Sequence, residues 1–244
     1  MARIFITGSA DGLGQLAAQT LIQQGHKVVL HARNAERAQD AINKNPGAET
    51  VLTGDLANLE ETKQLAHAVN QLGTFDAVIH NAGMYQSSSD IVFAVNTIAP
   101  YVLTSLIQKP NRLIYLSSGM HMYGRAKLDS FNTGNARVTY SDTKLQVLIL
   151  CMAVAARWKD VYANAVDPGW VPTKMGGRGA PDDLQKGYAT QVWLAVSDDE
   201  RAKLSGRYFY HQRETAHNTE ADDRDLQQKF LQLCKEHTDV SFPG

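Results

Sequence analysis

Tyr140 and Lys144 stand four residues apart at the start of an apolar helical pattern, so a phenol and an ammonium share one helix face. A free tyrosine titrates at about 10 and exchanges protons poorly at neutral pH; a nearby ammonium favours the phenolate and draws that value toward the working range. Taken alone, the pair also describes an ordinary exposed helical contact, so its neighbours decide. Residues 112–117 read as a buried strand ending in Ser117-Ser118, and ligands of open parallel sheets bind outside the carboxyl ends of strands. Residues 76–80 form a similar run and end in Asn81-Ala82-Gly83. Asn96 interrupts an otherwise apolar helix, where a buried amide needs a defined hydrogen-bonding task.

A second group of residues suits a phosphate. Thr7-Gly8-Ser9-Ala10-Asp11-Gly12-Leu13-Gly14 joins a strand at 3–7 to the first helix. Glycines there admit a pyrophosphate close to the backbone, and the unpaired amides of a helix start favour its charge. The alternative is a tight strand-to-helix turn without a ligand. Arg33 follows the second strand, where an NAD site of this topology carries an acid that takes the ribose 2′-hydroxyl. A guanidinium there suits the 2′-phosphate of NADP instead, or is an ordinary surface arginine at a helix start. Asp11 in the turn weakens the electrostatic case.

The elements that must position these groups alternate. Strands are expected at 3–7, 27–32, 49–53, 76–80, 112–117 and 161–166, with 207–210 at an edge. Between them lie a helix from Leu13 that stops at Gly25, and helices at 34–43, 56–72, 90–108 and 139–158. This order predicts an α/β fold of the doubly wound Rossmann type: one domain over 1–244, with about seven mainly parallel strands and helices on both faces. The helices at 90–108 and 139–158 are apolar around nearly their whole circumference and must be buried all round. The face turned away from the sheet then needs a cover, for which a second subunit is expected, giving a homo-oligomer (dimer or tetramer). An acidic cluster at 219–225 leads into an amphipathic helix at about 222–236.

With 244 residues, 43% hydrophobic and 20% charged, the chain has material for a real core, which excludes a disordered or fibrous protein. A net charge of −1 gives no long-range attraction to nucleic acid or to anionic lipid. The sequence offers no signal peptide and no apolar run approaching the roughly 18 residues of a membrane span, so no membrane partner and a cytoplasmic location are expected. Cys151 and Cys234 read as buried free thiols, and His211, His217 and the other histidines lack metal-ligand spacing, so no metal is implied.

In this order and context, TGxxxGxG, Asn-Ala-Gly, the serine and YxxxK resemble the short-chain dehydrogenase/reductase family, over residues 2 to about 210. The resemblance implies Tyr140 as general acid/base and Lys144 as the group that lowers its pKa and holds the nicotinamide ribose. Ser118, matching the second serine of the family's pair, would orient the carbonyl or hydroxyl, and Asn96 would complete a tetrad through a relay water. Cofactor contacts carried over from the family are Gly8, Ser9, Gly12, Leu13 and Gly14 at the pyrophosphate, Arg33 at the 2′-phosphate, and Asp55 and Leu56 at adenine. Asn81, Ala82 and Gly83 would flank the adenine ribose, and in the family's Pro-Gly segment, here Pro168-Gly169, Val171 and Thr173 would contact the carboxamide.

Ser118 and Tyr140 are 22 positions apart, a longer spacing than in most members, which resembles the retinol-dehydrogenase-like branch and its bulky apolar carbonyl substrates. Loops at about 119–138 and 170–182 would overhang the nicotinamide. Met84, Tyr85, Met120, His121, Met122, Tyr123, Trp170 and Met175 are then candidates for the substrate wall, several of them equally able to be loop packing. The expectation is an NADP(H)-dependent oxidoreductase, with NAD(H) possible, that reduces a small-molecule aldehyde or ketone. Its rivals are a catalytically silent cofactor-loaded sensor or scaffold and an NAD-dependent alcohol oxidation.

Overall fold

The computed structural model describes residues 1–132 and 137–243. Seven parallel strands form one sheet: β1 (Arg3–Ile6), β2 (Lys27–Ala32), β3 (Thr50–Thr53), β4 (Ala77–His80), β5 (Arg112–Leu116), β6 (Tyr162–Asp167) and β7 (Arg207–Tyr210). Their spatial order is β3-β2-β1-β4-β5-β6-β7, so the winding reverses between β1 and β4. An eighth strand, β8 (Arg213–Glu214), runs antiparallel to β7 and was not expected from sequence. His211 and Gln212 join the two with φ of 47° and 61°, a tight turn made without the Asn-Gly or Asp-Gly signal that usually announces one.

The central strands are continuous apolar runs because both faces are covered. Ile4, Ile6, Val28, Leu30, Ile79 and Ile114 face one core, shared with α1 (Gly12–Gln23), α2 (Ala35–Lys44) and α7 (Leu184–Val196). Phe5, Val29, Val78, Leu113 and Tyr115 face the other. That second core takes in α3 (Leu59–Gln71), α4 (Ser89–Phe93), α5 (Ala99–Leu106), α6 (Tyr140–Arg157) and α8 (Arg224–Thr238). The expected helices are present with shifted ends. α3 begins at 59 because Asn58 caps it, accepting the N–H groups of Glu60 and Glu61. Asn218, just before the acidic cluster, and Asp223 within it likewise cap a short turn and α8. α7 was not expected at all: its buried face carries Gly187, Thr190 and Gln191 among the apolar residues.

The expected single helix at 90–108 is α4 and α5 joined by one π-helical stretch, Ala94–Ile98. Its 18 residues Ser89–Leu106 reach membrane-span length with a mean hydropathy of 1.3, contrary to the sequence reading, but 72% of them are buried inside the fold. The cover expected from a second subunit comes from the chain itself. Phe230, Leu231, Leu233 and Cys234 of α8 share the core of α6, Tyr101 Oη donates to Val240 C=O at 2.7 Å, and Trp158 stacks on Phe242. The apolar circumference of these helices is thus covered largely within one chain.

Candidate functional site

The carboxyl ends of β1, β4, β5 and β6 are held in register by Ile6↔Ile79, His80↔Tyr115 and Leu116↔Val166, and the residues singled out by chemistry follow them. α6 starts at Tyr140 because Thr139 and Asp142 form a reciprocal capping box, which puts Tyr140 and Lys144 on one face directed at the end of β5. Lys144 is buried; its Nζ donates to Leu116 C=O at 2.8 Å and lies 5.4 Å from the centre of the Tyr140 ring. The two serines divide their tasks. Ser117 is buried and donates to Lys144 C=O at 2.8 Å, whereas Ser118, half-buried, meets the Tyr140 hydroxyl.

The task of Asn96 is visible. Its Oδ1 accepts the N–H of Met84 at 2.7 Å, and its Nδ2 donates to Met84 C=O at 2.9 Å and to Thr143 Oγ1 at 3.0 Å. The π-helical stretch around it is the local irregularity that turns this amide out of the helical ladder. Gly83 fits between them: a Cβ there would lie 3.4 Å from Lys144 Nζ and 3.6 Å from Asn96 Oδ1.

The electrostatic balance differs from the sequence argument. Burial pushes the Tyr140 phenol up to about 12, opposed by the Ser118 hydrogen bond and reinforced by the nearby Asp167 carboxylate and Tyr85. Burial pulls the Lys144 ammonium down to about 8, against the field of Asp167. In the protein alone burial governs both groups, moving the phenol up and the ammonium down.

The glycine-rich turn is built to approach other backbone. Gly8 has φ of +64°, and a Cβ on it would strike Ala82 at 2.9 Å; one on Gly14 would collide with Asn81 Nδ2. Asp11 precedes α1 without a capping bond, and its carboxylate is taken by Arg37 and Lys174, which leaves the first amides of α1 to an incoming anion. Ser9 is a correction: its hydroxyl donates to Ile6 C=O at 3.0 Å and accepts from the N–H of His31 at 2.8 Å, and its own N–H goes to His31 C=O. It braces the turn instead of facing a ligand. The Leu56 side chain also belongs to the core, leaving Asp55, half-buried, at that turn. Arg33 is exposed after β2, and Arg37, one turn into α2, joins it on this side of the cleft. Sequence reasoning missed Arg37 because nothing in its spacing links it to Asp11.

Across the cleft, Thr173 lies 4.0 Å from where a Gly12 Cβ would stand, and Val171 is buried. Gly187 of α7 makes room for Val171, Pro168 and Leu13, so Leu13 helps pack the segment 168–171 that includes Gly169. Tyr85, Met120, Met122, Tyr123, Trp170 and Met175 are all exposed, and the Tyr85 ring stands edge-on to Tyr140 at 4.9 Å. Trp170 is held by Asp182 and by Gly176 C=O. His121 does not belong to that wall. It is buried, with Nδ1 bonded to Ser118 C=O and Nε2 accepting from the N–H of Asn218, and it pins the 3-10 turn Gly119–Tyr123 to the segment before α8. Beside it Glu214, Thr215, Ala216, His217 and Thr219 line an open surface hollow of about 370 Å³. Of the expected loop at 119–138, residues 133–136 lie outside the described residues.

Residues 2–183 match the family model described as short chain dehydrogenase. The chain is 44% identical to an uncharacterized oxidoreductase of Emericella nidulans over the full length of both. It is 26% identical to human retinol dehydrogenase 14, with 95% of this chain and 84% of that one covered. Among solved structures, an uncharacterized protein from Mycobacterium paratuberculosis superposes with a TM-score of 0.81 at 20% identity, over 100% of this chain and 96% of that one. A blue fluorescent protein from a metagenomic library, solved in complex with NADPH, superposes with a TM-score of 0.70 at 18% identity, over 85% and 95%.

Proposed function

This chain belongs to the short-chain dehydrogenase family, in its retinol-dehydrogenase-like branch, and on that premise we propose that it reduces a bulky apolar aldehyde or ketone with NADPH. As a member it is an oxidoreductase that uses a nicotinamide cofactor on a small molecule. The reducing direction is supported by the placement of Tyr140 beside Ser118, where burial keeps the phenol protonated at neutral pH, as a proton donor to the substrate oxygen requires.

The bound nicotinamide supplies the hydride. Ser118 and Tyr140 donate hydrogen bonds to the substrate oxygen and stabilise the charge that develops on it, and Tyr140 then delivers its proton to that oxygen. Lys144, fixed by Leu116 C=O and Ser117, holds a cation beside the phenol. Asn96 fixes the backbone at Met84 and, through Thr143, the first turn of α6. Tyr85, Met120, Met122, Trp170 and Met175 offer the apolar surface that a bulky substrate needs.

Arg33 and Arg37 support NADPH over NADH, since guanidinium groups that follow β2 suit a 2′-phosphate and no carboxylate stands at 33 to favour a free ribose hydroxyl. The NADPH complex of the metagenomic neighbour is consistent with that reading. A cytoplasmic location accords with Cys151 and Cys234, both buried free thiols. The deciding experiment titrates the purified protein with NADPH and NADH by nicotinamide fluorescence and follows with an NADPH-coupled screen of aldehydes, ketones and quinones. Tight NADPH binding and turnover of apolar carbonyls are expected. Preference for NADH would redirect the search to alcohol oxidation, and cofactor binding without any turnover would make the chain a sensor.

A further inference from the structure

His31 lies on β2 beneath the glycine-rich turn and is only 3% exposed. On the same face of the strand Val29 belongs to the apolar core, and Phe5 meets the imidazole edge-on at 6.5 Å. An aliphatic side chain would suit such a place. The imidazole instead bonds backbone with both ring nitrogens. Nδ1 accepts the N–H of Gly8 at 3.0 Å, and Nε2 lies 2.9 Å from Gly54 C=O. An amide donates and a carbonyl accepts, so the ring is the neutral tautomer with its proton on Nε2. Burial keeps it neutral, pulling its pKa down to about 4, with Asp55 the nearby charge that opposes the shift.

The two bonded residues are not equivalent partners in a core. Gly8 opens the glycine-rich turn, and Gly54 immediately precedes Asp55 at the end of β3. The peptide at Gly8 is gripped from both sides, its N–H by His31 and its C=O by Asn81 Nδ2 at 3.1 Å. The backbone of His31 completes the clasp through its two bonds with Ser9. Removing the imidazole would leave a partly buried amide at Gly8 and a buried carbonyl at Gly54 without these partners and free the two turns to move relative to one another.

We infer that His31 is a positioning residue of the cofactor site, whose neutral ring sets the spacing between the phosphate turn at Gly8 and the adenine-side turn at Gly54. The inference rests on reading those turns as the two halves of a dinucleotide site.

The test compares His31→Leu with His31→Gln, measuring the affinities of NADPH, NADH and nicotinamide mononucleotide for each folded variant. The leucine keeps the packing and loses both bonds, whereas the glutamine retains one acceptor and one donor. His31→Leu is expected to weaken both dinucleotides tenfold or more and the mononucleotide less than twofold, with His31→Gln recovering most of the loss. A residue that only packs gives the reverse order, leucine tolerated and glutamine not, and that result overturns the inference. Wild-type protein that binds neither dinucleotide removes the cofactor-site reading and the inference together; wild-type binding matched by His31→Leu removes the inference alone. If the leucine variant does not fold, the ¹⁵N shifts of the His31 ring decide: a proton on Nε2 supports the clasp and a proton on Nδ1 refutes it.

Discussion

Ser117 donates to the carbonyl of Lys144, and Lys144 Nζ donates back to the carbonyl of Leu116, each at 2.8 Å, so the end of β5 and the first turn of α6 are laced together twice. This is what places Ser118 against Tyr140. Ser118→Ala is therefore expected to lower turnover by about 10²–10³-fold with little change in melting temperature. Ser117→Ala should show the opposite pattern, a loss of about 1 kcal/mol or more in stability with the larger share of turnover kept. Denaturant titration beside steady-state kinetics separates the two.

Tyr140→Phe removes the acid and almost nothing else. Cofactor affinity should hold within a few fold while turnover falls about 10²–10⁴-fold. Fluorescence titration and single-turnover kinetics check this, and a variant that turned over normally would exclude Tyr140 as the proton donor.

Lys144 carries a stability penalty with a definite sign. Its folded value of about 8 lies below its ordinary 10.5, so the folded state releases a proton that the unfolded chain retains. The penalty is absent above pH 10.5, grows as the pH falls from 10.5 to 8 and is complete below 8. Lys144→Met should accordingly stabilise the protein at pH 7 by about 2 kcal/mol, with the gain shrinking toward pH 10, while activity disappears. Melting curves from pH 6 to 10 test the slope. In the wild type the alkaline limb of kcat/KM belongs near pH 8 and reports Lys144, because Tyr140 titrates far higher.

Arg37 is pulled toward Asp11, and Lys174 reaches the same carboxylate from the opposite loop at 3.2 Å. Arg33→Ala and Arg37→Ala should each weaken NADPH by about 1.5–3 kcal/mol and NADH far less, because only NADPH presents a phosphate for a charge-assisted bond. Equal losses for both cofactors would deny the two arginines a role in discrimination.

α8 packs where a partner subunit was expected. Phe230→Ala should reduce stability by about 3–5 kcal/mol, since the ring is fully buried against Phe131 and the core of α6. Light scattering of the wild type should give a monomer of 26.8 kDa; a dimer would show that some other face carries an interface.

The seven parallel strands were legible because strands covered on both faces must be runs of Val, Ile and Leu, and few other segments look like that. The gathering of Tyr140, Lys144, Ser118 and Asn96 at one end of the sheet was legible because they follow a recognisable order. What escaped was set by tertiary context. α7 buries Thr190 and Gln191, which weakens its apolar stripe. The π-helical stretch at Asn96 has no composition of its own. His31, Arg37 and Asp11 gain their meaning only from partners more than 20 residues away, and the burial that moves Tyr140 and Lys144 against expectation is a property of the packed molecule.

The short strand β8 matters for what it denies to other molecules. A parallel sheet ending at β7 would offer a row of unpaired backbone groups beside two buried aromatic residues, Tyr208 and Phe209, a template on which a neighbouring chain can add a strand and begin to aggregate. Two residues folded back in the opposite direction, charged as Arg213 and Glu214 and pinned by the Arg207–Glu214 ion pair, occupy that template. The turn at His211 and Gln212 thus holds that edge closed, and substitutions that open it are expected to show first as loss of soluble protein during expression.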